Sequence, residues 1–238
     1  MAQADKLSFR ASSLPRSPLI GASILSADFA YLADDALAAL EAGSDFLHVD
    51  VMDGSFVPNL TMGPALLKCV RRALPDAFLD VHLMVDDPAM FVESFADAGA
   101  DNLTFHIEAE PDPRSVIETI HAAGCSAGLA INPPTDVAAI VPFVELADVI
   151  LVMSVNPGFS GQAFIADVLK KVATIASQLR DDQRLEMDGG INPSTAPQCI
   201  SAGCDVLAVA SAIFGSNDYA QAVAALRSRP AYHKVDSP

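Results

Sequence analysis

The sequence predicts a single-domain α/β protein built as a closed (β/α)8 TIM barrel, and three observations support this fold. Short apolar segments alternate with longer amphipathic ones from Leu19 onward, as in repeated β-then-α units. The short segments are apolar on both faces, which is typical of parallel strands covered by helices. Roughly eight units fit the chain, and no glycine-rich nucleotide loop follows the first strand, as an open doubly wound sheet would require.

The strands are assigned from β-branched and aromatic residues that precede turn signals. They are expected at residues 19–25, 46–52, 78–85, 102–107, 126–131, 149–155, 185–187 and 206–210. The helices between them are assigned from apolar periodicity, from capping residues such as Ser26 or Asp28, and from Ala-Gly pairs at their ends. They are expected to end near residues 41, 74, 98, 123, 146, 179, 202 and 226, and the fifth to cover residues 137–146.

The barrel is expected to occupy residues 18–229 as one domain. Residues 1–17 are polar and have no apolar targeting core, so a flexible N-terminal tail is expected there rather than a targeting remnant. Residues 230–238 are expected to form a flexible C-terminal tail.

Composition limits the partners and the compartment of the protein. The formal charge of −16, from 14 basic and 30 acidic side chains, argues against nucleic acid and anionic membranes as partners, because both require a positive surface. No apolar run approaches the roughly 20 residues of a membrane span. The four cysteines form no C-x-x-C pair, which indicates reduced thiols in a cytoplasmic protein. An anionic substrate would need a local feature that attracts it.

The second strand and the turn behind it, residues 46–59, are the strongest candidate for chemistry. Alternate residues of a strand share a face, so His48, Asp50 and Met52 point in one direction. An adjacent imidazole and carboxylate can bind a metal, exchange a proton or do both. An isolated pair of this kind can also be a buried histidine satisfied by an aspartate.

The pattern recurs at the ends of two further strands. The third strand carries His82 and Met84 on one face, and Asp80 is expected either on that face or turned toward the helices or solvent. The seventh strand ends at Asp188. Because barrel strands carry functional groups at their carboxyl ends, two histidines and two aspartates are predicted to converge on one divalent ion, Zn²⁺ or Fe²⁺.

Two other groups of residues have ordinary structural interpretations. His106 on the fourth strand is expected to be a core histidine with satisfied hydrogen bonds. Met52, Met84 and Met153 either fill the core or line the site.

Glycine-rich loops follow the late strands, at residues 156–162 and at Gly189-Gly190, and Ala210-Ser211 follows the eighth strand. Such loops hold phosphate in many barrels through backbone N–H groups, although a glycine-rich sequence by itself indicates only a turn. Backbone amides would attract an anion without lysine or arginine.

Six segments of the sequence resemble the signature blocks of the ribulose-phosphate 3-epimerase family, in the same order along residues 19–229. They are SILSADF at 23–29, HVDVMDGSFVPN at 48–59, DVHLMV at 80–85, VMSVNPGFSGQ at 152–162, EMDGGI at 186–191 and ASAIF at 210–214. The resemblance implies a metal-dependent isomerase that interconverts D-ribulose 5-phosphate and D-xylulose 5-phosphate through an enediolate. It also implies one divalent ion per subunit, with Mn²⁺ or Co²⁺ as further possibilities, and a homo-oligomer, either a dimer or a hexamer.

The resemblance also assigns roles to individual residues. Asp50 and Asp188 correspond to the acid/base carboxylates, and His48, Asp50, His82 and Asp188 to the metal ligands. Residues implied to contact the phosphosugar substrate are Ser23, His82, Gly158, Phe159, Ser160, Gly161, Asp188, Gly189, Gly190, Ala210 and Ser211. Residues implied to cover the enediolate are Met52, Met84 and Met153.

The sequence departs from the family pattern at Ser160 and Ala210, where glycine is usual, and at Ser55, where arginine or histidine is common. The first two departures concern phosphate affinity more than the chemistry. Three other functions stay open. They are an allulose 6-phosphate 3-epimerase, which needs the same groups, a decarboxylase or aldol lyase of the same barrel type, and a non-catalytic metabolite-binding barrel. The lyases carry D-x-K-x-x-D, and Met52 stands where their lysine would be.

Overall fold

The computed structural model describes Phe9 and residues 18–227, and it confirms the predicted barrel. Eight parallel strands are hydrogen-bonded in sequence order, and β1 closes the barrel by pairing with β8. The strands are β1 Leu19–Ser23, β2 Phe46–Met52, β3 Leu79–Met84, β4 Asn102–His106, β5 Ser126–Ile131, β6 Val149–Met153, β7 Arg184–Asp188 and β8 Val206–Val209.

Helices follow the strands and cover the outside of the barrel. The α-helices are α1 Leu32–Glu41, α2 Pro64–Ala73, α3 Val92–Asp97, α4 Arg114–Ala122, α5 Leu169–Ala176, α6 Ala196–Ala202, α7 Ser211–Phe214 and α8 Tyr219–Arg227. Short 3₁₀ turns are found at Ile24–Ser26, Phe29–Tyr31, Pro88–Phe91, Val137–Ala139, Val141–Leu146 and Ala166–Val168. In this part of the chain, no helix is long and apolar enough to cross a bilayer.

The Ala-Gly pairs end helices as the sequence predicts. After α1, Gly43 takes a φ of 103° that other residues rarely adopt, and its N–H donates to the Leu40 carbonyl. This sharp turn returns the chain directly to β2, and α1, α3 and α4 each contact the strand that follows them.

Two predicted elements differ from the structure. The helix expected over 137–146 is a pair of 3₁₀ turns, Val137–Ala139 and Val141–Leu146. Pro142 in the second turn has no N–H to donate, which prevents a continuous α-helix there. The short helix α7 follows β8 directly and was not predicted.

The core has an outer shell between strands and helices and an interior within the barrel. At the amino end of the barrel, the interior is closed by a cluster of buried apolar residues, Phe9, Leu19, Phe46, Phe78, Val149 and Val206. Phe9 belongs to the predicted N-terminal tail, and its ring lies 4.5 Å from that of Phe78, between ring centroids. The other residues of the two predicted tails lie outside the described part of the chain.

Candidate active site

The four predicted metal ligands converge at the carboxyl end of the barrel. The register of β2 and β3 places Asp50 beside His82, and β7 brings Asp188 to the same level. One ligand atom from each of His48, Asp50, His82 and Asp188 lies within 4.8 Å of those of the others. His82 Nδ1 is 3.2 Å from Asp50 Oδ1 and 3.8 Å from Asp188 Oδ2. The donor set suits a single divalent ion.

The orientation of His48 fits such an ion. Its Nδ1 lies 2.6 Å from Asp80 Oδ2, while its Nε2 is buried and has no hydrogen-bond partner. Nε2 instead faces Asp50 Oδ1 at 3.3 Å. A ring nitrogen without a partner, aimed at a carboxylate that can bind the same ion, is consistent with a metal ligand.

Asp80 is an interior residue, so the expectation that it turns toward the helices or solvent was wrong. Its side chain is fully buried, and Asn102 Nδ2 donates to its Oδ1 at 2.6 Å. The register pairs His48 with Asp80 and Asp80 with Asn102. Asp80 and Asn102 therefore lie level with His48 in the barrel interior, one level below Asp50 and His82.

Glu186 is an interior carboxylate that was not predicted from the sequence. Both of its carboxyl oxygens are buried without hydrogen-bond partners, and Oε1 lies 3.4 Å from His48 Nδ1. Burial, together with the charge of Asp80, raises the pKa of Glu186 to about 8, so its carboxyl group is mainly protonated at neutral pH. The signal was present, because Glu186 and Asp188 alternate along β7 and share its inner face.

The pKa values of the two candidate acid/base residues move in opposite directions. Burial and, after it, the nearby charge of Asp50 raise the pKa of Asp188 to about 7. Burial acts in the same direction on Asp50, but the charge of the nearby His48 and the contact with His82 outweigh it and hold the pKa of Asp50 well below its usual range. The hydroxyl of Ser23 also donates to Asp50 Oδ2, at 2.6 Å.

Protonation of the two candidate histidine ligands also differs. Burial lowers the pKa of His82 to about 4. Burial opposes protonation of His48 too, but the charges of Asp50 and Asp80 raise its pKa well above the ordinary value. In the absence of a metal, His48 therefore carries a proton that a bound cation would displace.

A cavity opens above the four ligands. Asp50 and Asp188 face the cavity from below. The apolar part of its wall includes Met52, Met84 and Met153. The other predicted site residues on its walls are Ser23, Gly158, Phe159, Ser160, Gly161, Gly189, Gly190, Ala210 and Ser211. His82 is fully buried beneath the cavity and is not part of its wall, so a direct substrate contact by His82 stays a prediction.

The glycine-rich loops form the side of this cavity nearest β6 to β8. Gly190 has a φ of 64°, and a Cβ there would lie 2.8 Å from the backbone nitrogen of Phe164. Asn59 Nδ2 donates to the Gly158 carbonyl at 2.7 Å, which ties the loop after β2 to the loop after β6. Among the described residues, only glycines have positive φ, so Ser160 occupies its loop position with an ordinary backbone conformation.

His106 has satisfied hydrogen bonds, as expected, but it also borders the site. Its Nε2 lies 2.8 Å from His82 Nε2, and its Nδ1 lies 3.1 Å from Glu108 Oε2. The sequence pattern did not connect His106 with the predicted ligands, because the contact runs between two strands.

Solved structures with the same fold include sugar-phosphate enzymes. 3-Hexulose-6-phosphate synthase from Salmonella typhimurium matches with a TM-score of 0.64 and 21% identity, covering 88% of this chain and 96% of that one. 3-Keto-L-gulonate-6-phosphate decarboxylase from Vibrio cholerae matches with a TM-score of 0.65 and 16% identity, covering 89% and 96%. At these identities the likeness shows the fold alone.

Sequence relatives are much more similar. Proteins named ribulose-phosphate 3-epimerase share 46% identity with this chain in Mycobacterium tuberculosis, over 88% of this chain and 92% of the relative. The identity is 44% in Escherichia coli, over 88% and 95%, and 42% in Bacillus subtilis, over 87% and 97%. The model of the ribulose-phosphate 3-epimerase family matches residues 19–214, which include every strand of the barrel and every predicted site residue. The chain therefore belongs to the ribulose-phosphate 3-epimerase family of enzymes.

Proposed function

We propose that this protein interconverts D-ribulose 5-phosphate and D-xylulose 5-phosphate, using two carboxylates and one divalent cation. The observation that carries the proposal is the pair Asp50 and Asp188. Both face one cavity, and their surroundings move their pKa values apart. Two neighbouring carboxyl groups with different proton affinities suit a reaction that needs a base and an acid together. The names of the relatives supply the substrate class.

Epimerisation at C3 of a 2-ketopentose phosphate moves one proton from one face of the carbon to the other. One carboxylate takes the C3 proton, and the electron pair of the C–H bond forms an enediolate with the adjacent carbonyl. The other carboxyl group, protonated at the start, delivers its proton to the opposite face of C3. In one direction Asp50 is the base and Asp188 the acid, and in the reverse direction the roles exchange.

The proposed cation is held by His48, Asp50, His82 and Asp188, with Zn²⁺ or Fe²⁺ most suited to this set and Mn²⁺ or Co²⁺ also compatible. When bound, it supplies Lewis-acid stabilisation of the negative charge that develops on the substrate oxygens. Ser23 restrains Asp50 through the hydroxyl hydrogen bond to Oδ2. The three methionines exclude water and offer no proton to the intermediate.

The phosphate group is proposed to lie against the glycine-rich loops and the start of α7. Gly158, Gly161, Gly189 and Gly190 leave the backbone accessible on this side of the cavity. Backbone N–H groups attract a phosphate locally. This arrangement resolves the conflict between an anionic substrate and a chain whose net charge is −16.

Proton NMR in D₂O tests the proposed function. Metal-loaded protein incubated with ribulose 5-phosphate is expected to produce xylulose 5-phosphate and to incorporate deuterium at C3, because the transferred proton exchanges with solvent on a carboxyl group. Product without deuterium would contradict the two-carboxylate route. Absence of both product and exchange would contradict the substrate assignment, and allulose 6-phosphate would be the next substrate to test.

We also propose a cytoplasmic homo-oligomer, either a dimer or a hexamer, on the basis of the family resemblance. The exposed apolar side chains Tyr31, Leu60 and Met90 provide surface for contacts between subunits. Light scattering coupled to size-exclusion chromatography measures the mass directly. A monomeric mass at micromolar concentration would contradict this proposal.

A further inference from the structure

His106 is a buried histidine with a defined hydrogen-bond partner on each ring nitrogen. Its ring is stacked on that of His82, with centroids 5.0 Å apart, and the ring of Phe56 covers it at 4.8 Å. Its Nε2 lies 2.8 Å from His82 Nε2. In this contact one nitrogen must donate a proton and the other must accept it.

Glu108 decides which nitrogen of His106 carries a proton. Its Oε2 lies 3.1 Å from His106 Nδ1, and its Oε1 accepts the Asn132 N–H at 2.8 Å. Burial raises the pKa of Glu108, but hydrogen bonds from His106 and Thr135 outweigh burial and lower that pKa to about 2. Glu108 is therefore ionised at neutral pH and can only accept, so His106 Nδ1 donates.

We propose that Glu108 and His106 are positioning residues that fix the tautomer of the candidate metal ligand His82. With the ring proton of His106 on Nδ1, its Nε2 is an acceptor. His82 then donates through Nε2–H and presents the lone pair of Nδ1 to Asp50, Asp188 and the cation. This inference rests on the metal site proposed above and extends it outward by two residues.

The contact between His82 Nδ1 and Asp50 shows why the tautomer of His82 matters for cation binding. His82 Nδ1 lies 3.2 Å from Asp50 Oδ1, so a His82 tautomer with its proton on Nδ1 would donate to Asp50. His106 accepts from Nε2 instead, which favours the other tautomer and leaves the Nδ1 lone pair to the cation. Asp80 acts on His48 in the same way, since it accepts from His48 Nδ1 and leaves Nε2 to the cation.

Replacing Glu108 by glutamine is expected to reverse the order of donors and acceptors. The glutamine oxygen stays on the Asn132 N–H, which places the amide NH₂ against His106 Nδ1. That nitrogen must then accept, and the proton of His106 moves to Nε2. His82 Nε2 must accept in turn, which puts the His82 proton on Nδ1, where it competes with the cation.

The test uses Zn²⁺ as the probe, because it is diamagnetic. Long-range ¹H–¹⁵N NMR of the zinc-loaded wild-type protein is expected to show His106 protonated at Nδ1, with a pyridine-type Nε2, and His82 protonated at Nε2. A proton on Nε2 of His106 overturns the proposal. This measurement needs no variant, so it decides the matter even if Glu108→Gln fails to fold.

Zinc affinity, measured by competition with a chromophoric chelator, gives the second readout. Glu108→Gln is expected to bind Zn²⁺ about 10- to 100-fold more weakly than wild type. Glu110→Gln is the matched control, because it removes the same charge from the same loop and its carboxylate accepts from the Asp112 N–H instead of facing His106. Equal losses in the two variants would overturn the proposal.

A double-mutant cycle shows whether Glu108 acts through His106. In a His106→Phe background, Glu108→Gln is expected to have no further effect on zinc affinity, because phenylalanine cannot transmit the change in hydrogen bonding from residue 108 to His82. A full and independent loss in that background would overturn the proposal. None of these measurements involves turnover, so a failure here is distinguishable from a failure of the proposed epimerase reaction.

Discussion

At the scale of single residues, Asp188 can be replaced by an uncharged residue with little expected loss of folding stability. Its pKa is raised to about 7, so near neutral pH an uncharged group is readily accepted at this position. Asp188→Asn is therefore expected to fold with nearly wild-type stability. Its kcat is expected to fall about 10²- to 10⁴-fold, because an amide cannot exchange a proton with C3.

Thermal unfolding in the presence of a chelator measures the stability of Asp188→Asn, and saturation kinetics measure its turnover. Zinc affinity is measured in parallel, so that loss of the cation is distinguished from loss of the acid. A folded, zinc-loaded Asp188→Asn with near-normal kcat would refute the two-carboxylate mechanism.

The stability of the folded protein is expected to depend on pH through Glu108, and the direction of that dependence follows from its lowered pKa. A carboxyl group with a pKa of about 2 in the folded protein and about 4.5 in the unfolded chain stabilises the fold above pH 4.5. This contribution is lost as the pH falls toward 2. In metal-free protein, the stability difference between wild type and Glu108→Gln is expected to be on the order of 2 kcal/mol near pH 7 and to shrink below pH 4.5.

Urea unfolding of both proteins with a chelator, at several pH values from 7 to 3.5, measures this difference. Glu110→Gln again serves as the control, since no comparable change is expected there. A stability difference that grows as the pH falls would show that the pKa of Glu108 is not lowered by folding.

At the scale of elements, the contact between the loops after β6 and β7 depends on Gly190. Its φ is 64°, and a Cβ added to it would lie 2.8 Å from the Phe164 backbone nitrogen, so there is no room for a side chain. Gly190→Ala is expected to separate the two loops, raising KM for the phosphosugar and lowering Tm. Gly161→Ala isolates the conformational cost, because Gly161 has a φ of 76° with no atom near its Cβ position.

Gly161→Ala is therefore expected to lose about 1 kcal/mol of stability from the left-handed backbone alone. Scanning calorimetry gives Tm, and initial rates at varied substrate give KM for both variants. If Gly190→Ala lowered Tm no more than Gly161→Ala and left KM at the wild-type value, the close approach at Phe164 would have no role in loop packing or phosphate binding.

Most elements of this fold could be predicted because they carry their own local signals. A helix that ends in Ala-Gly, followed by an apolar strand, repeats along the chain, and the order of the strands in a barrel follows from that repeat alone. Helix α7 has four residues, which is too short for a helical period to be recognised. Residues 137–146 contain the expected apolar pattern, but Pro142 interrupts a continuous helix, and the two halves form 3₁₀ turns.

The candidate ligands were predictable for a similar reason, since His48 and Asp50 alternate along one strand. The hydrogen bonds that orient them were not. Asp80 reaches His48, and His106 reaches His82, only because neighbouring strands adopt a particular register. Register in a closed barrel depends on the stagger between strands that closure imposes, and the alternation of residues within one strand does not give that stagger.

At the scale of the whole molecule, the aromatic cluster that stabilises the barrel and the candidate site lie at opposite ends of the barrel axis. The candidate site lies at the carboxyl ends of the strands, whereas Phe9, Phe46 and Phe78 close the amino end. The rings of Phe9 and Phe46 meet edge to face, with centroids 5.4 Å apart. Phe9 is fully buried, and the residues that cluster around it come from distant parts of the sequence.

Phe9→Ala is accordingly expected to destabilise the protein by about 3 kcal/mol, because it leaves a cavity among the aromatic rings. Its kcat and KM at temperatures well below unfolding are expected to equal those of wild type, since the substitution lies at the end of the barrel opposite the site. Phe29→Ala removes an aromatic ring that is 49% exposed and is expected to cost much less stability. Denaturant unfolding and initial-rate kinetics on the three proteins test both halves of this expectation. A Phe9→Ala variant as stable as Phe29→Ala would show that Phe9 does not close the barrel, and an altered KM in Phe9→Ala would show that the two ends of the barrel are coupled.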